Sequence, residues 1–283
     1  MKKKIIIIGI LILIALVAII VPKTLFKKSI GEENEDQKQL YNVLVYVQDK
    51  NNRLVGLNVG VNELKEDQIR QKWELLTTEK DKLPENYTSM IPENTVLNDY
   101  TIDNECLTLD VNGEIQNGIG RKTVETIAWT FINDEIEKVR LVVGGTEINA
   151  IGDYTYKEIT KKMGINLSYE TMHIFEANYT TILYQEDSYL LPVTYFHLEE
   201  DITDFIVMKA LEQNELGLTE EVYNYTLNDN ILTIDFVDAS ILTNNQIATI
   251  AESIAFNLQV NSLNINNNEN LFYQRVYVEI TEE

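Results

Sequence analysis

Duplication is the strongest constraint on this chain, because a segment that recurs in the same order must fold the same way twice. Residues 100–111 read YTIDNECLTLDV and residues 225–236 read YTLNDNILTIDF, aligned without a gap at an offset of 125. Tyr100, Thr101, Leu107, Thr108 and Asp110 recur as Tyr225, Thr226, Leu232, Thr233 and Asp235, while Cys106 gives way to Ile231. Further on, ETIAW (125–129) pairs with ESIAF (252–256), and VRL (139–141) with LNI (263–265). Upstream, the run ending at Tyr46 pairs with the run ending at Tyr184. Several colinear matches mark an internal repeat rather than chance likeness.

Each copy has the same coarse pattern. VLVYV (43–47) and LVGLNV (54–59), like TILYQ (181–185) and YLLPVTYF (189–196), are short β-branched and aromatic runs around a polar turn, which predicts a hairpin. Ile69, Trp73 and Leu76 predict a helix over about 66–78; Phe205, Met208, Leu211 and Leu216 predict its counterpart. The aligned segment is a second hairpin, turning at Asp103-Asn104 or Asn228-Asp229, where Asn and Asp tolerate left-handed backbone. A second helix follows, with Val124, Ile127, Ala128, Phe131 and Ile132 on one face, matched by Ile247, Ile250, Ala251, Ile254 and Leu258. Thr243 is a natural N-cap for the later one. The last strand of the unit is KVRLVV (138–143) or SLNI (262–265).

The fold class predicted is therefore α+β: a ββαββαβ unit, twice, each copy a two-layer sandwich whose two helices cover its own sheet. The expected domains are 41–150 and 179–283. A linker over 151–178 holds a short helix at Tyr154 to Lys162, NINNNEN (264–270) is a polar loop, and Phe272 to Ile280 is an added strand.

The amino terminus predicts a membrane address. Lys2-Lys3-Lys4 precedes a 17-residue apolar run, Ile5 to Val21, ended by Pro22. About 17–25 apolar residues span a bilayer as a helix. The run exceeds the usual apolar core of a cleaved signal and lacks a small-x-small site after it, so an uncleaved signal anchor over 1–28 is expected. Three lysines flank each side, and the acidic residues Glu32, Glu33, Glu35 and Asp36 follow. This places the amino terminus inside and the body outside the cytoplasmic membrane, with 29–40 as a polar tether.

Charge narrows function. Six of the 23 basic residues lie in 1–30, leaving 17 against 45 acidic residues in the body. Such a surface repels phosphate, so no nucleic-acid partner is expected. Cys106 has no partner for a disulfide, and His173 and His197 have no ligand spacing, so no metal or cofactor is expected. Asp110 and Asp235 are repeat equivalents, one per copy, and read as turn or strand-end caps rather than a catalytic pair. Asp103-Asn104-Glu105 lacks the ligand spacing of a calcium loop, and Gly118-Ile119-Gly120-Arg121-Lys122 lacks the full phosphate-loop pattern and reads as a flexible lead-in to a helix. Trp73 and Trp129 read as core. Asn86, Asn166, Asn178 and Asn224 lie in Asn-x-Ser/Thr sequons, to which no role is assigned. No catalytic residue is assigned.

IPENTVL (91–97), LTLDV (107–111), TVETIAWTFI (123–132) and IEKVRLVVGG (136–145) together resemble the GerM-type (GerMN) domain, with Ile91-Pro92, Thr95, Asp110 and Gly144-Gly145 at its motif positions. The second copy keeps Asp235 but lacks the IPxxT element and the glycine pair. The resemblance implies a non-catalytic envelope protein of sporulation or spore germination that meets other envelope proteins, with a homo-oligomer open. It differs from the lipoprotein members in having an apolar run and no acylation cysteine. A cell-wall hydrolase and a receptor for a small ligand or lipid between the copies are the alternatives.

Overall fold

The computed structural model describes residues 41–186, 188–212 and 222–277. The amino-terminal lysines, the run Ile5 to Val21, the tether 29–40, Leu216 and Ile280 lie outside the described residues. No helix among the described residues is long and apolar enough to cross a membrane.

The first copy contains β1 (Tyr41–Gln48), β2 (Leu54–Val61), α1 (Gln68–Leu76), β3 (Leu97–Asp103), β4 (Cys106–Val111), α2 (Gly120–Phe131), β5 (Lys138–Val143) and β6 (Thr146–Ile148). A connecting region follows, with β7 (Ala150–Ile151), β8 (Tyr154–Thr155) and β9 (Ser168–Tyr169). The second copy repeats the order: β10 (Asn178–Gln185), β11 (Tyr189–His197), α3 (Ile202–Glu212), β12 (Tyr223–Asn228), β13 (Ile231–Phe236), α4 (Asn244–Asn257), β14 (Ser262–Asn267) and β15 (Asn270–Val276). The unit is thus ββαββαββ: β6 is a strand that the sequence pattern does not suggest, whereas β15 is the added strand expected from Phe272 onward. The residues from Tyr41 onward form one compact unit.

Each copy divides its strands between two sheets, which corrects the expectation that each covers a sheet of its own. The first hairpins of both copies merge into one central sheet, ordered β1-β2-β11-β10, with β9 added to β11. The second hairpins extend into separate four-stranded sheets, β3-β4-β5-β6 and β12-β13-β14-β15. Helices α1 and α2 pack on β1, and α3 and α4 on β10. In the separate sheets β4 runs parallel to β5, and β13 to β14. The duplicated motifs therefore occupy equivalent settings. Their alternation buries Leu107, Leu109 and Val111 in one copy and Leu232, Ile234 and Phe236 in the other.

Turn chemistry explains the close match. Asn104-Glu105 and Asp229-Asn230 all have positive φ, the signature of a two-residue hairpin turn whose twist suits the strands. The turn centres fall one residue beyond the predicted pairs. Gly144-Gly145, joining β5 to β6, also has positive φ, and Asn268-Glu269 adopts it between β14 and β15. The second copy thus keeps this turn without its glycines. NINNNEN is accordingly the end of β14 and its turn, not a loop.

Three further expectations change. Tyr154 to Lys162 forms no α-helix: Tyr154–Thr155 pairs with β7, and only Lys161–Met163 makes a 3-10 turn. Met208 is exposed, whereas Phe205 and Leu211 are buried as their spacing predicts, together with Ile206 and Ala210. The Gly118 region is closely packed rather than a loose lead-in. A side chain on Gly152 would come 2.8 Å from the Gly118 carbonyl, and Gly120 has φ of +45°. The second helices match expectation, and Thr243 caps α4 in a full capping box with Gln246.

Candidate functional site

The seam between the copies is where sequence and geometry converge. Strand β2 pairs with β11 only at Leu57–Tyr189 and Gly56–Leu190. Two residues on, Pro192 would come opposite Leu54 but has no N–H to donate, so the ladder cannot continue. The Asn166 side chain fills the gap. Its amide donates to the Leu54 carbonyl (2.7 Å) and the Pro192 carbonyl (2.8 Å), and its oxygen accepts from Leu54 N (2.8 Å). Asn166 itself has φ of +45°, a left-handed position that Asn tolerates better than most residues. Beyond it, Thr194 N donates to the Ile165 carbonyl (2.9 Å), and β9 takes over at Tyr195 and Phe196. One edge of β11 is therefore satisfied in turn by β2, by one side chain, and by β9.

Aromatic packing closes the same seam. Trp129 in α2 and Phe256 in α4 are equivalent positions of ETIAW and ESIAF, and their rings stack at 5.4 Å. Trp129 also meets Tyr46 at 5.5 Å, and the Lys161 ammonium lies 5.3 Å from its ring centre.

The outer edges of the central sheet are sealed by helix side chains. On β10, Leu183 N donates to Ser253 Oγ (2.9 Å), Gln185 N to Thr249 Oγ1 (2.9 Å) and Thr181 N to Asn257 Oδ1 (3.2 Å). Thr249, Ser253 and Asn257 are four residues apart, so they line one face of α4. On β1, Tyr46 N donates to Thr130 Oγ1 (3.0 Å), and Gln48 pairs with Thr88.

A cleft of about 550 Å³ opens beside the seam, lined by Arg53 from the first copy and by Tyr184, Tyr195, Lys209, Glu212 and Thr243 from the second. Asp49 holds the Arg53 turn, accepting from Asn51 N and Arg53 N at 2.8 Å and from the Arg53 guanidinium. Burial raises the Asp49 pKa, but the Arg53 hydrogen bonds and charge and the Asn51 N–H outweigh it, and the carboxyl sits below its ordinary value. Lys209 is buried between the Tyr195 and Phe205 rings and pairs with Glu170 (2.5 Å) and Glu212 (3.0 Å). Burial lowers its pKa, yet the two carboxylates prevail and raise it. Tyr184 and Tyr195 hydrogen-bond each other at 2.8 Å, and burial raises both phenols above their ordinary value. His197 stacks on Phe205 at 3.6 Å, with its Nε2 2.9 Å from Thr180 Oγ1, and burial lowers its pKa. The shifts keep the phenols and the imidazole neutral and Lys209 charged near neutral pH.

The residues singled out from sequence are dispersed. Asp110 meets Asn98 Nδ2 (3.4 Å) and Asp235 meets Asn266 Nδ2 (2.7 Å), in two different sheets. Cys106 is buried and free, and His173 is exposed in a loop. Trp73 is core, donating to the Thr95 carbonyl (3.3 Å) of the IPENT element. That element is a structural plug: Thr123 Oγ1 donates to the Met90 carbonyl (2.7 Å), and Asn112 Nδ2 to the Asn94 carbonyl (2.9 Å). Among the described residues no cluster of His, Cys, Asp or Glu could hold a metal ion.

Two recurring residues of the motif have a role that the sequence alone does not assign. Tyr100 and Tyr225, at matching positions, each donate from the hydroxyl to the aspartate ahead of the first helix of their copy, Asp67 (2.9 Å) and Asp201. Those aspartates in turn accept from Arg70 N (2.8 Å) and Asp204 N (3.0 Å) in the first helical turns. The recurrence of the tyrosine was the available signal.

Residues 40–149 match the Germane family, described as sporulation and spore germination. The first copy is a GerM-type domain. The two copies together have a tandem GerM-type fold: they are similar to the tandem GerMN domains of the sporulation protein GerM from Bacillus subtilis, with a TM-score of 0.68 at 20% identity, over 82% of this chain and 92% of that one. The first GerMN domain of the same protein aligns over 43% of this chain and 98% of its own, at 21% identity and a TM-score of 0.39. A putative lipoprotein from Clostridium perfringens covers 46% of this chain and 94% of its own, at 16% identity and a TM-score of 0.27. No curated protein matches. The GerM-type family is not a known enzyme family.

Proposed function

We propose that this chain is a non-catalytic scaffold of sporulation or spore germination, anchored by Ile5 to Val21 in the cytoplasmic membrane, with residues 41–283 outside it. The observation that carries the reading is the match of residues 40–149 to a family of that description, in a chain with the tandem fold. The seam supports it further. Two copies joined through one sheet carry their separate sheets, β3–β6 and β12–β15, on one compact body. The central sheet offers no open edge at β10, so a partner would not add a strand there. Other envelope proteins are the expected partners.

Recovery of the full chain from detergent-solubilised membranes tests this. Specific envelope partners, and expression confined to spore formation, are expected; a monodisperse monomer without partners, expressed constitutively, would contradict it.

The cleft favours one second reading, a receptor for a small hydroxylated ligand that hydrogen-bonds Arg53 and Lys209. Ligand-dependent stabilisation in a thermal-shift screen, lost in Lys209→Met, would support it. The hydrolase alternative loses its motive, since Asp110 and Asp235 lie in different sheets.

A further inference from the structure

The loop between β9 and β10 presents its largest apolar side chains to solvent. Met172 is 96% exposed, Phe175 106% and Ile174 51%. Tyr169, Tyr179 and Leu198 at its base are each more than half exposed. Scattered exposed apolar residues are ordinary, but six gathered on one projection are not.

The loop is held in shape. At its base Tyr169 stacks on Phe196 at 4.9 Å, and Glu170 N donates to the Phe196 carbonyl (2.9 Å). Asn178 Nδ2 donates to the Glu199 carbonyl (2.9 Å) on the other side. Within the loop, His173 N donates to Thr171 Oγ1 and Glu176 N to the His173 carbonyl, both at 3.0 Å. These contacts lower the backbone freedom that is lost when the tip is covered.

Charge selects what covers it. Glu176 flanks the tip in sequence, Glu199 and Glu200 follow Leu198, and the carboxylate at the base, Glu170, is already paired with Lys209. An anionic lipid surface and a second copy of this acidic body would both be repelled. We infer that this loop is a docking finger that inserts Met172, Ile174 and Phe175 into an apolar cup on a protein partner whose rim carries lysine and arginine side chains. The inference rests on the scaffold reading and names where and with what chemistry the partner is met.

The test is photo-crosslinking in cells producing the full chain, with benzoylphenylalanine replacing Phe175. The expected result is an adduct to a protein segment that is apolar and bordered by Lys or Arg. Its yield should fall about tenfold when Glu176→Lys, Glu199→Lys and Glu200→Lys are combined. All four positions are exposed, and unchanged melting temperatures verify that the variants fold. An adduct to lipid, an adduct to a second copy, no protein adduct, or a yield indifferent to charge reversal would overturn the inference. If the finger variants fail while the unaltered chain still recovers envelope partners, the finger falls and the scaffold reading stands; if no partner is recovered at all, both fall.

Discussion

Asn166 does work that no backbone group at that place could do. Its three hydrogen bonds replace the donor that Pro192 lacks and satisfy both polar groups of Leu54. Asn166→Ala should cost about 2–4 kcal/mol, because a part-buried carbonyl and N–H lose their partners. Asp49 works similarly in the β1–β2 turn, and Asp49→Ala should cost about 1–2 kcal/mol in urea unfolding. The sign of its pH dependence follows from its lowered pKa: the contribution is complete above the ordinary value of 3.8 and is lost as pH falls through the lower folded value. His197 has the opposite chemistry and the same direction. Its pKa is depressed below 6.5, so folding resists a proton that the unfolded chain accepts. Its contribution is complete above about 6.5 and declines as pH falls below that. Thermal melts from pH 7 to pH 5 should therefore show a shallower decline in His197→Gln than in the unaltered chain.

At the scale of elements, two devices matter most. The first is the polar ladder on α4. Replacing Thr249 with Val and Ser253 with Ala would leave the N–H groups of Gln185 and Leu183 unpaired at a sheet edge. Each change should cost about 1–3 kcal/mol and favour self-association through β10, read by light scattering. The second is the set of two-residue turns. Glu105 adopts φ of +59°, where a side chain other than Asn or Gly is strained, so Glu105→Gly should stabilise the chain by about 1 kcal/mol. These turns show why the hairpins were legible in sequence. YTIDNECLTLDV and YTLNDNILTIDF carry alternation and turn residues locally, and local chemistry decides a hairpin. Helix α4 was legible for the same reason, through its stripe and the Thr243 cap. Around Tyr154 to Lys162 the pattern suggested a helix, but the segment is held instead by pairing with β7 and, at Ile159, by a bridge to Val139.

At the scale of the molecule, the joining of the copies was not legible. It depends on a missing N–H at Pro192, answered by a side chain 26 residues earlier, and on Trp129 meeting Phe256 across a distance no periodicity encodes. Asn166 in sequence is only one sequon among four. The cleft likewise combines Arg53 with residues of the second copy, and only the tertiary fold brings them together. The central claim is that the two copies of the repeat form one cooperative body through a shared sheet completed by Asn166. Scanning calorimetry of the unaltered chain and of Asn166→Asp, which keeps the size but removes both donors, tests it most directly. The account predicts a single transition that separates into two in the variant; two independent transitions in the unaltered chain, or a variant that melts unchanged, would contradict it.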